Sequence, residues 1–242
     1  MAILLFTDFG SNDLYVGQVE TVLDRHAPGV RVIHLLHEAP PFNVRAAAHL
    51  LAALARDLPH GHVFLGVVDP GVGSGRGGGV LRADGRWYVG PDNGLFSVIA
   101  ARASSTSVWR ITARWPDASP SFHGRDVFAP IAAAVATGDF PNRDVAPATE
   151  LAVRFGGDDL AEVIYVDHFG NAFTGIRARD VPATRRLVAK GREVVYARVF
   201  AEAAPGAAFW YENSSGLVEV AVNQGDAARE LGLAVGTPVS WR

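Results

Sequence analysis

The first 68 residues alternate between short apolar runs and amphipathic helical patterns, and this alternation constrains the fold more than any other feature. Apolar runs at 2–7, 30–36 and 62–68 have the length of buried strands. Between them, apolar side chains recur at helical spacing over 14–25 and from Asn43 to residue 58, and asparagine is a residue type that caps helix N-termini. The order strand-helix-strand-helix-strand predicts a parallel, doubly wound sheet.

The next segments predict the remainder of this first domain. Asp84-Gly85 is typical of a hairpin turn between two short strands. A helix is expected at 95–102, a strand at 108–111, and an apolar helix at 127–136 that ends at Gly138.

The chain changes character after residue 138. Residues 139–149 are rich in Pro, Asp and Asn and predict an interdomain linker. From 163 onwards, short β-like segments alternate with turns, and only 227–233 looks helical. The expected fold class is therefore α/β. It combines an N-terminal Rossmann-like, mostly parallel sheet with helices on both faces (1–145) and a smaller C-terminal antiparallel β-barrel-like domain (146–242).

Composition excludes several classes of function. The net charge is −3 and no basic stripe is present, so nucleic acid is not an expected partner. The absence of cysteine excludes thiol chemistry, disulfides and cysteine-ligated metals. The apolar run at residues 2–6 meets Asp8 at once, too early for a signal peptide or a membrane span, so a cytoplasmic protein without membrane contact is expected.

The segment from Val67 to Arg76 is the first candidate site. A buried strand ends on Asp69-Pro70, and a glycine-rich loop leads to Arg76. Open α/β sheets place their ligands at such strand ends, and glycines let the backbone approach a ligand closely. A tight turn in which Asp69 merely caps the loop is the alternative. No Lys or Thr follows the glycines as a phosphate-binding loop would require.

Other polar residues lie in similar positions. Asp8 also follows a strand, where its carboxylate could bind a ribose diol or simply cap the next helix. His123 precedes a helix, as a hydrogen-bonded structural residue or as a catalyst. The turns at 167–171 and 213–216 offer acid and amide groups or are ordinary hairpins. His34, His37 and Glu38 lie too close together on one loop to favour a metal site.

Six motifs in order together resemble one enzyme family. They are Thr7-Asp8-Phe9-Gly10, Val68 through Ser74, Gly90-Pro91-Asp92-Asn93-Gly94, Phe122-His123-Gly124-Arg125-Asp126, Asp167 through Asn171, and Asn213 through Gly216. The chain thereby resembles the S-adenosyl-L-methionine hydroxide adenosyltransferases, adenosine-forming hydrolases related to the fluorinase and the chlorinase. Each motif alone is weak, but their order over nearly the whole chain is specific.

The resemblance implies a function and a set of site residues. It implies hydrolysis of S-adenosyl-L-methionine to adenosine and L-methionine, without metal or cofactor, by a homotrimer whose active sites lie at subunit interfaces. It further implies a catalytic triad of Asp69, Arg76 and His123. The implied substrate-binding residues are Asp8, Phe9, Asn93, Asp167, Asn171, Asn213, Ser214 and the backbone near Ala228.

Two departures from the halogenating relatives favour water as the nucleophile. Those relatives carry a Tyr and a Ser near the position of His123-Gly124, and a threonine-rich loop where Gly71 to Gly75 lies; this chain has neither. A triad could hold one water in line with the ribose C5′–S bond, with Asp69 or His123 accepting its proton. A 5′-halogenase, a non-catalytic S-adenosylmethionine- or adenosine-binding protein and a metal-dependent phosphohydrolase using Asp8, Asp69, His123 and Asp167 remain alternatives.

Overall fold

The computed structural model describes residues 1–242, and contacts within the chain form two compact units. Unit 1 comprises residues 1–51 and 57–157, and unit 2 comprises 52–56 and 158–242. Each unit is built on a seven-stranded sheet. None of the helices has the length and apolar character needed to cross a membrane.

The sheet of unit 1 is mixed. Its strands are β1 (Ala2–Thr7), β2 (Arg31–Leu36), β3 (Val63–Val67), β4 (Gly78–Ala83), β5 (Arg86–Pro91), β6 (Thr106–Ile111) and β7 (Val145–Ala148). They lie in the order β2-β1-β3-β5-β4-β6-β7. The pairs β1–β2, β1–β3 and β3–β5 are parallel, and the other three are antiparallel. The predicted α/β class is confirmed, but the sheet is mixed instead of mostly parallel, because parallel pairing is confined to β2, β1, β3 and β5.

Four helices lie between these strands along the chain. They are α1 (Tyr15–His26), α2 (Val44–Ala55), α3 (Ser97–Arg102) and α4 (Ala129–Thr137). Helices α1 and α4 pack against the face that carries Ile3 and Leu65. Phe64 points to the opposite face, because side chains alternate along a strand, and there it stacks on Tyr88 at 4.8 Å between ring centroids. Phe96, just before α3, packs on Tyr88.

Local sequence signals set the helix ends. Asn43 caps α2 as predicted, since its Oδ1 accepts a hydrogen bond from the backbone N–H of Ala46 at 3.0 Å. Helix α4 ends at Gly138, which has a left-handed φ of 86°.

The linker predicted at 139–149 is wrong, because its second half is strand β7. This strand pairs antiparallel with β6 at the edge of the sheet. Pro147 is typical of a linker and favoured that prediction. Proline is nevertheless tolerated on an edge strand, where its missing N–H faces away from a neighbour. Contacts divide the units after Gly157, whereas composition predicted a boundary after residue 145.

The sheet of unit 2 is barrel-like and mostly antiparallel. Its strands are β8 (Leu160–Val166), β9 (Ala172–Arg177), β10 (Leu187–Ala189), β11 (Arg192–Tyr196), β12 (Ala208–Glu212), β13 (Leu217–Val222) and β14 (Val239–Trp241), with helix α5 (Ala227–Leu231) after β13. The order is β14-β10-β11-β12-β13-β9-β8, and a bridge between Glu162 and Pro238 nearly closes it. Strands β11 and β12 pair in parallel. The sequence did not predict β10, and it extended β11 to Phe200, which lies in a short 3₁₀ turn.

Candidate active site

The candidate active site of unit 1 lies where β1 and β3 end. Asp8 directly follows β1, and Asp69 follows β3 after Val68. Because the two strands are parallel neighbours, their carboxyl ends share one edge of the sheet. A cavity of about 420 Å³ opens there and is lined by Asp8, Phe9, Asp13, Tyr15, Pro41, Phe42, Val67, Asp69, Pro70, Val72, Ser121, Phe122, His123 and Gly124.

Arg76 joins the two other members of the predicted triad. Its Nε donates a hydrogen bond to Asp69 Oδ1 at 2.8 Å, and its Nη2 contacts Asp69 Oδ2. The same Nη2 lies 3.1 Å from His123 Nδ1. The guanidinium carbon also lies 5.1 Å from the ring centroid of Phe128. Only 12% of the Arg76 side chain and 5% of the Asp69 side chain is exposed, so this ion pair is largely shielded from solvent.

The contact with Arg76 fixes the form of the His123 ring. Burial and then the positive charge of Arg76 lower the pKa of His123, so the imidazole is neutral near neutral pH. A guanidinium only donates hydrogen bonds, so Nδ1 of His123 is the acceptor and its proton is on Nε2.

Glycines let the loop that contains Gly73, the 120–124 segment and the turn that contains Phe9 approach one another closely. Gly73 has a φ of 77°, and a Cβ built there would lie 2.7 Å from the carbonyl oxygen of Pro120. At Gly124 a Cβ would lie 3.1 Å from the Phe9 ring. His123 is followed by a π-helical turn over Gly124–Phe128, a geometry frequent at functional sites.

Asp8 lies in the wall of the same cavity. Burial raises the pKa of Asp8 and the charge of Asp69 adds to this, while backbone hydrogen bonds, including one from Phe42, act against it. Phe9, Tyr15 and Phe122 form an aromatic cluster beside it with centroid separations of 5.4 to 5.7 Å.

Two aromatic lining residues were not predicted. Phe42 is 79% exposed and Tyr15 is 40% exposed. Phe42 also has a left-handed φ of 62°, which is rare for a bulky side chain. In the sequence, each of them lies beside a polar or proline-rich loop, and an aromatic residue in that position is the signal that could have singled them out.

Asn93 lies behind the cavity instead of lining it. Its Nδ2 donates to the carbonyl oxygen of Val68 at 2.9 Å, and its Oδ1 accepts from the N–H of Leu95 at 3.3 Å. Both ends of the amide therefore hold backbone, and Asn93 fixes the residue that precedes Asp69.

Unit 2 contains a second cavity, of about 880 Å³. It is lined by Asp167, Phe169, Asn171, Phe173, Phe200, Tyr211, Asn213, Ser214, Glu219, Val222, Gln224, Gly225, Asp226 and Arg229. The predicted residues Asp167, Asn171, Asn213 and Ser214 are brought together here. The Asp167 carboxylate accepts from the backbone N–H groups of Phe169 and Asn171 and from Asn171 Nδ2 at 2.8 to 3.0 Å.

Glu219 and Tyr211 form a network in this cavity that the sequence did not predict. Tyr211 Oη donates to Glu219 Oε1 at 2.5 Å, and Asn213 Nδ2 donates to Glu219 Oε2 at 2.8 Å. Burial raises the pKa of Glu219, and burial together with Glu219 raises the pKa of Tyr211. The Asn213 Oδ1 accepts from the N–H groups of Ser215 and Leu217, so the Asn213 amide shapes its own turn.

The backbone N–H of Ala228 is also engaged. It donates to the carbonyl oxygen of Gly170 at 2.8 Å. This bond ties the start of α5 to the 167–171 turn.

No three His, Cys, Asp or Glu side chains are grouped so that they could hold a metal ion. His34 and His37 instead bind each other, at 2.7 Å between Nδ1 of the first and Nε2 of the second. Glu38 accepts from the backbone N–H of Ser11 at 2.7 Å.

Comparisons with known proteins point to one family. Residues 3–145 match the SAM hydroxide adenosyltransferase N-terminal domain, and residues 161–240 match the corresponding C-terminal domain. The chain is 40% identical over 256 residues to an (R)-S-adenosyl-L-methionine hydrolase of Thermus thermophilus, covering 98% of both chains. It is 40% identical over 247 residues to one of Salinispora arenicola, covering 95% of this chain and 93% of that protein.

A fluorinase of Nocardia brasiliensis is more distant, at 25% identity over 98% of this chain and 95% of the fluorinase. Among solved structures, a conserved protein of Thermotoga maritima superposes with a TM-score of 0.89 at 32% identity and covers 99% of both chains.

Proposed function

Because the chain belongs to the SAM hydroxide adenosyltransferase family, we propose that it hydrolyses (R)-S-adenosyl-L-methionine to adenosine and L-methionine. The observation that carries this proposal in the structure is the contact of Arg76 with both Asp69 and His123 at the cavity that Asp8 lines. The lower identity to fluorinases than to hydrolases favours water over halide as the nucleophile.

The reaction is a displacement at the ribose C5′. A water oxygen forms a bond to C5′ while the C5′–S bond breaks. The electron pair of the C5′–S bond leaves with sulfur, which becomes the neutral thioether of methionine. The leaving sulfonium already carries positive charge, so no acid is needed to expel it and we propose no metal or cofactor. The protein therefore has to position one water and accept one of its protons.

We assign the proton acceptor to Asp69 and the orienting donor to His123. The hydrogen-bond pattern supports this assignment, because Arg76 occupies Nδ1 of His123 and leaves Nε2–H as a donor. Each carboxylate oxygen of Asp69 keeps a second lone pair beyond the one that Arg76 uses. Water would thus accept from His123 and donate to Asp69, and the released proton would pass to solvent.

The remaining predicted residues are proposed to bind the substrate. Asp8 would accept hydrogen bonds from the ribose hydroxyls, and Phe9 would pack on the nucleoside. Asp167, Asn171 and Ser214 would hold the adenine and methionine ends. For Asn93, Asn213 and Ala228 we propose support of the binding loops, since their side-chain or backbone groups are engaged within the protein.

The family resemblance also motivates proposals about assembly and location. We propose a homotrimer in which active sites lie at subunit interfaces, and a cytoplasmic protein that binds neither nucleic acid nor membranes. Sedimentation of the purified protein, with and without substrate, tests the assembly.

The function is tested by incubating the purified protein separately with the two sulfonium epimers of S-adenosyl-L-methionine in ¹⁸O-labelled water. Equimolar methionine and adenosine labelled at the 5′-oxygen are expected, chiefly from the (R) epimer. Asp69→Asn should lower turnover by about 10³-fold while adenosine affinity stays within about threefold. Asp139→Asn, at an exposed carboxylate, is the matched control. A protein that releases no adenosine from either epimer, or forms a 5′-halogenated product in chloride, would contradict the proposal.

A further inference from the structure

A chain of hydrogen bonds leads from the surface to the wall of the unit 1 cavity. Glu20 of α1 lies 3.0 Å from Nε2 of His34 on β2. His34 Nδ1 lies 2.7 Å from Nε2 of His37, and His37 Nδ1 lies 2.8 Å from Oγ1 of Thr7 at the end of β1. Glu20 and His34 are partly exposed, while only 7% of His37 and 2% of Thr7 is exposed.

Counting hydrogens gives this chain a single direction when both rings are neutral. The Glu20 carboxylate only accepts, so the His34 proton is on Nε2 and its Nδ1 accepts. His37 must then donate from Nε2 and accept at Nδ1, and the Thr7 hydroxyl donates to it. Every donor points toward the surface.

One additional proton reverses this direction. A doubly protonated His34 donates from Nδ1, so the His37 proton moves to Nδ1 and is donated to Thr7. The Thr7 hydroxyl hydrogen loses its acceptor in a place where water does not reach, which has an energetic cost.

Thr7 and His37 together hold the turn that carries Asp8. The backbone N–H of Gly10 donates to the His37 carbonyl oxygen at 2.8 Å, and that of Ala39 donates to the Thr7 carbonyl oxygen at 3.0 Å. Thr7 Oγ1 also accepts from the N–H of Phe9 at 3.4 Å. These bonds join the turn that contains Asp8 and Phe9 to the segment that leads into Pro41 and Phe42, and all four of these residues line the cavity.

The charged and titratable groups around His37 are few. Burial and the charge of His34 lower the pKa of His37, whereas Glu20 of α1 and the adjacent Glu38 raise it. Thr7, from β1, contributes no charge. The fold therefore disfavours the charged form of His37, and a proton taken up by the pair changes the bonds described above.

We propose that His34 and His37 form a proton-sensitive pair that positions the part of the cavity wall containing Asp8. Protonation of the pair then weakens binding of the adenosine moiety. The inference rests on the proposed function, since adenosine is taken as the ligand of this cavity. His34 and His37 are positioning residues that act through Thr7 and do not touch the substrate.

The test compares the wild type with His34→Gln, whose amide can still accept from His37 and donate to Glu20 but cannot titrate. Adenosine has no group that titrates between about pH 6 and about pH 8, where imidazoles do. Between these values we expect the Kd of adenosine, measured by calorimetry, to rise about fivefold on acidification in the wild type and less than about twofold in the variant. His26→Gln, at an exposed histidine, should respond as the wild type.

A second readout does not depend on ligand. The NMR signals of the Phe9 and Gly10 amides should shift between the two pH values in the wild type and stay constant in His34→Gln. An equal pH response of the two proteins in binding, or amide signals that respond to pH equally in both, overturns the proposal. Absence of adenosine binding at either pH would contradict the adenosine site on which the inference rests, and the amide signals would still decide the role of the pair.

Discussion

The two cavities of this chain use carboxylates in opposite ways. In unit 1, Asp69 is paired with a guanidinium that also contacts His123, and the three residues come from loops up to 54 positions apart in the sequence. In unit 2, the buried carboxylate of Glu219 is held by two neutral donors, Tyr211 and Asn213, within eight positions of each other on a single hairpin.

The difference indicates which cavity can serve the chemical step. A charged triad can stabilise charge that moves during a reaction, and its geometry depends on long-range packing. A carboxylate held locally by neutral donors offers fixed acceptors and donors, which is suited to recognising a ligand. We therefore expect changes in the Asp69–Arg76–His123 triad of unit 1 to act on kcat and changes in the Glu219 network of unit 2 to act on KM.

The largest effect is expected from Arg76→Lys. A lysine keeps the charge but cannot hold both oxygens of Asp69 and contact His123 at once, so kcat should fall by about 10³-fold with KM within about threefold. Steady-state kinetics measure this. Arg125→Lys is the control, because Arg125 forms a similar pair with Asp126 but does not line the cavity. A rise in KM as large as the loss in kcat would contradict the assignment of the triad to the chemical step.

Gly73→Ala should have an intermediate effect. The backbone at Gly73 is left-handed, and a Cβ there would lie 2.7 Å from the Pro120 carbonyl oxygen, so the 119–122 segment must move. Because this segment leads directly to His123, the distance between Arg76 and His123 changes. We expect kcat to fall by about tenfold, with a loss of about 1–3 kcal/mol of stability. Gly75→Ala is the matched control, since a Cβ at Gly75 meets no atom within 4 Å. Similar kinetics for both variants would show that this contact does not position the triad.

The smallest effect is expected from Glu219→Gln. The amide removes one of the two acceptors that Tyr211 and Asn213 use, which loosens the ligand cavity of unit 2 without touching the triad. KM should rise about fivefold while kcat stays within about twofold. Glu212→Gln, at an exposed carboxylate on the neighbouring strand β12, serves as the control. A selective loss of kcat would remove the division of roles between the cavities.

Sequence patterns predicted the elements whose signals are local. Residues 2–68 combine apolar runs of strand length with helical spacing and an asparagine cap, and the structure follows them closely. Strand β7 was missed because Pro147 is typical of a linker, and only its pairing with β6 makes it a strand. Strand β10 is three residues long, too short to show a period of two.

The candidate site was predictable as far as motifs mark it. Asp8, Asp69 and His123 do line one cavity, and Arg76 contacts the last two. The sequence did not predict Glu219 as a site residue, because it lies in the apolar run Leu217–Val222, where a lone acid is typical of a solvent-facing position. All six residues of that strand are in fact buried, since both of its faces are covered. Burial on two faces depends on tertiary packing, which no local pattern encodes.

The π-helical turn after His123 has a consequence for redesign of this protein. Its hydrogen bond from Ala129 N–H to the Gly124 carbonyl oxygen spans one residue more than an α-helical bond. Deleting one residue there to obtain an ideal helix would rotate His123 by about 100° around the helix axis, away from Arg76. A scaffold that receives this triad by grafting must therefore carry the irregular turn as well, and the length of the segment from 123 to 129 is as much a part of the site as its side chains.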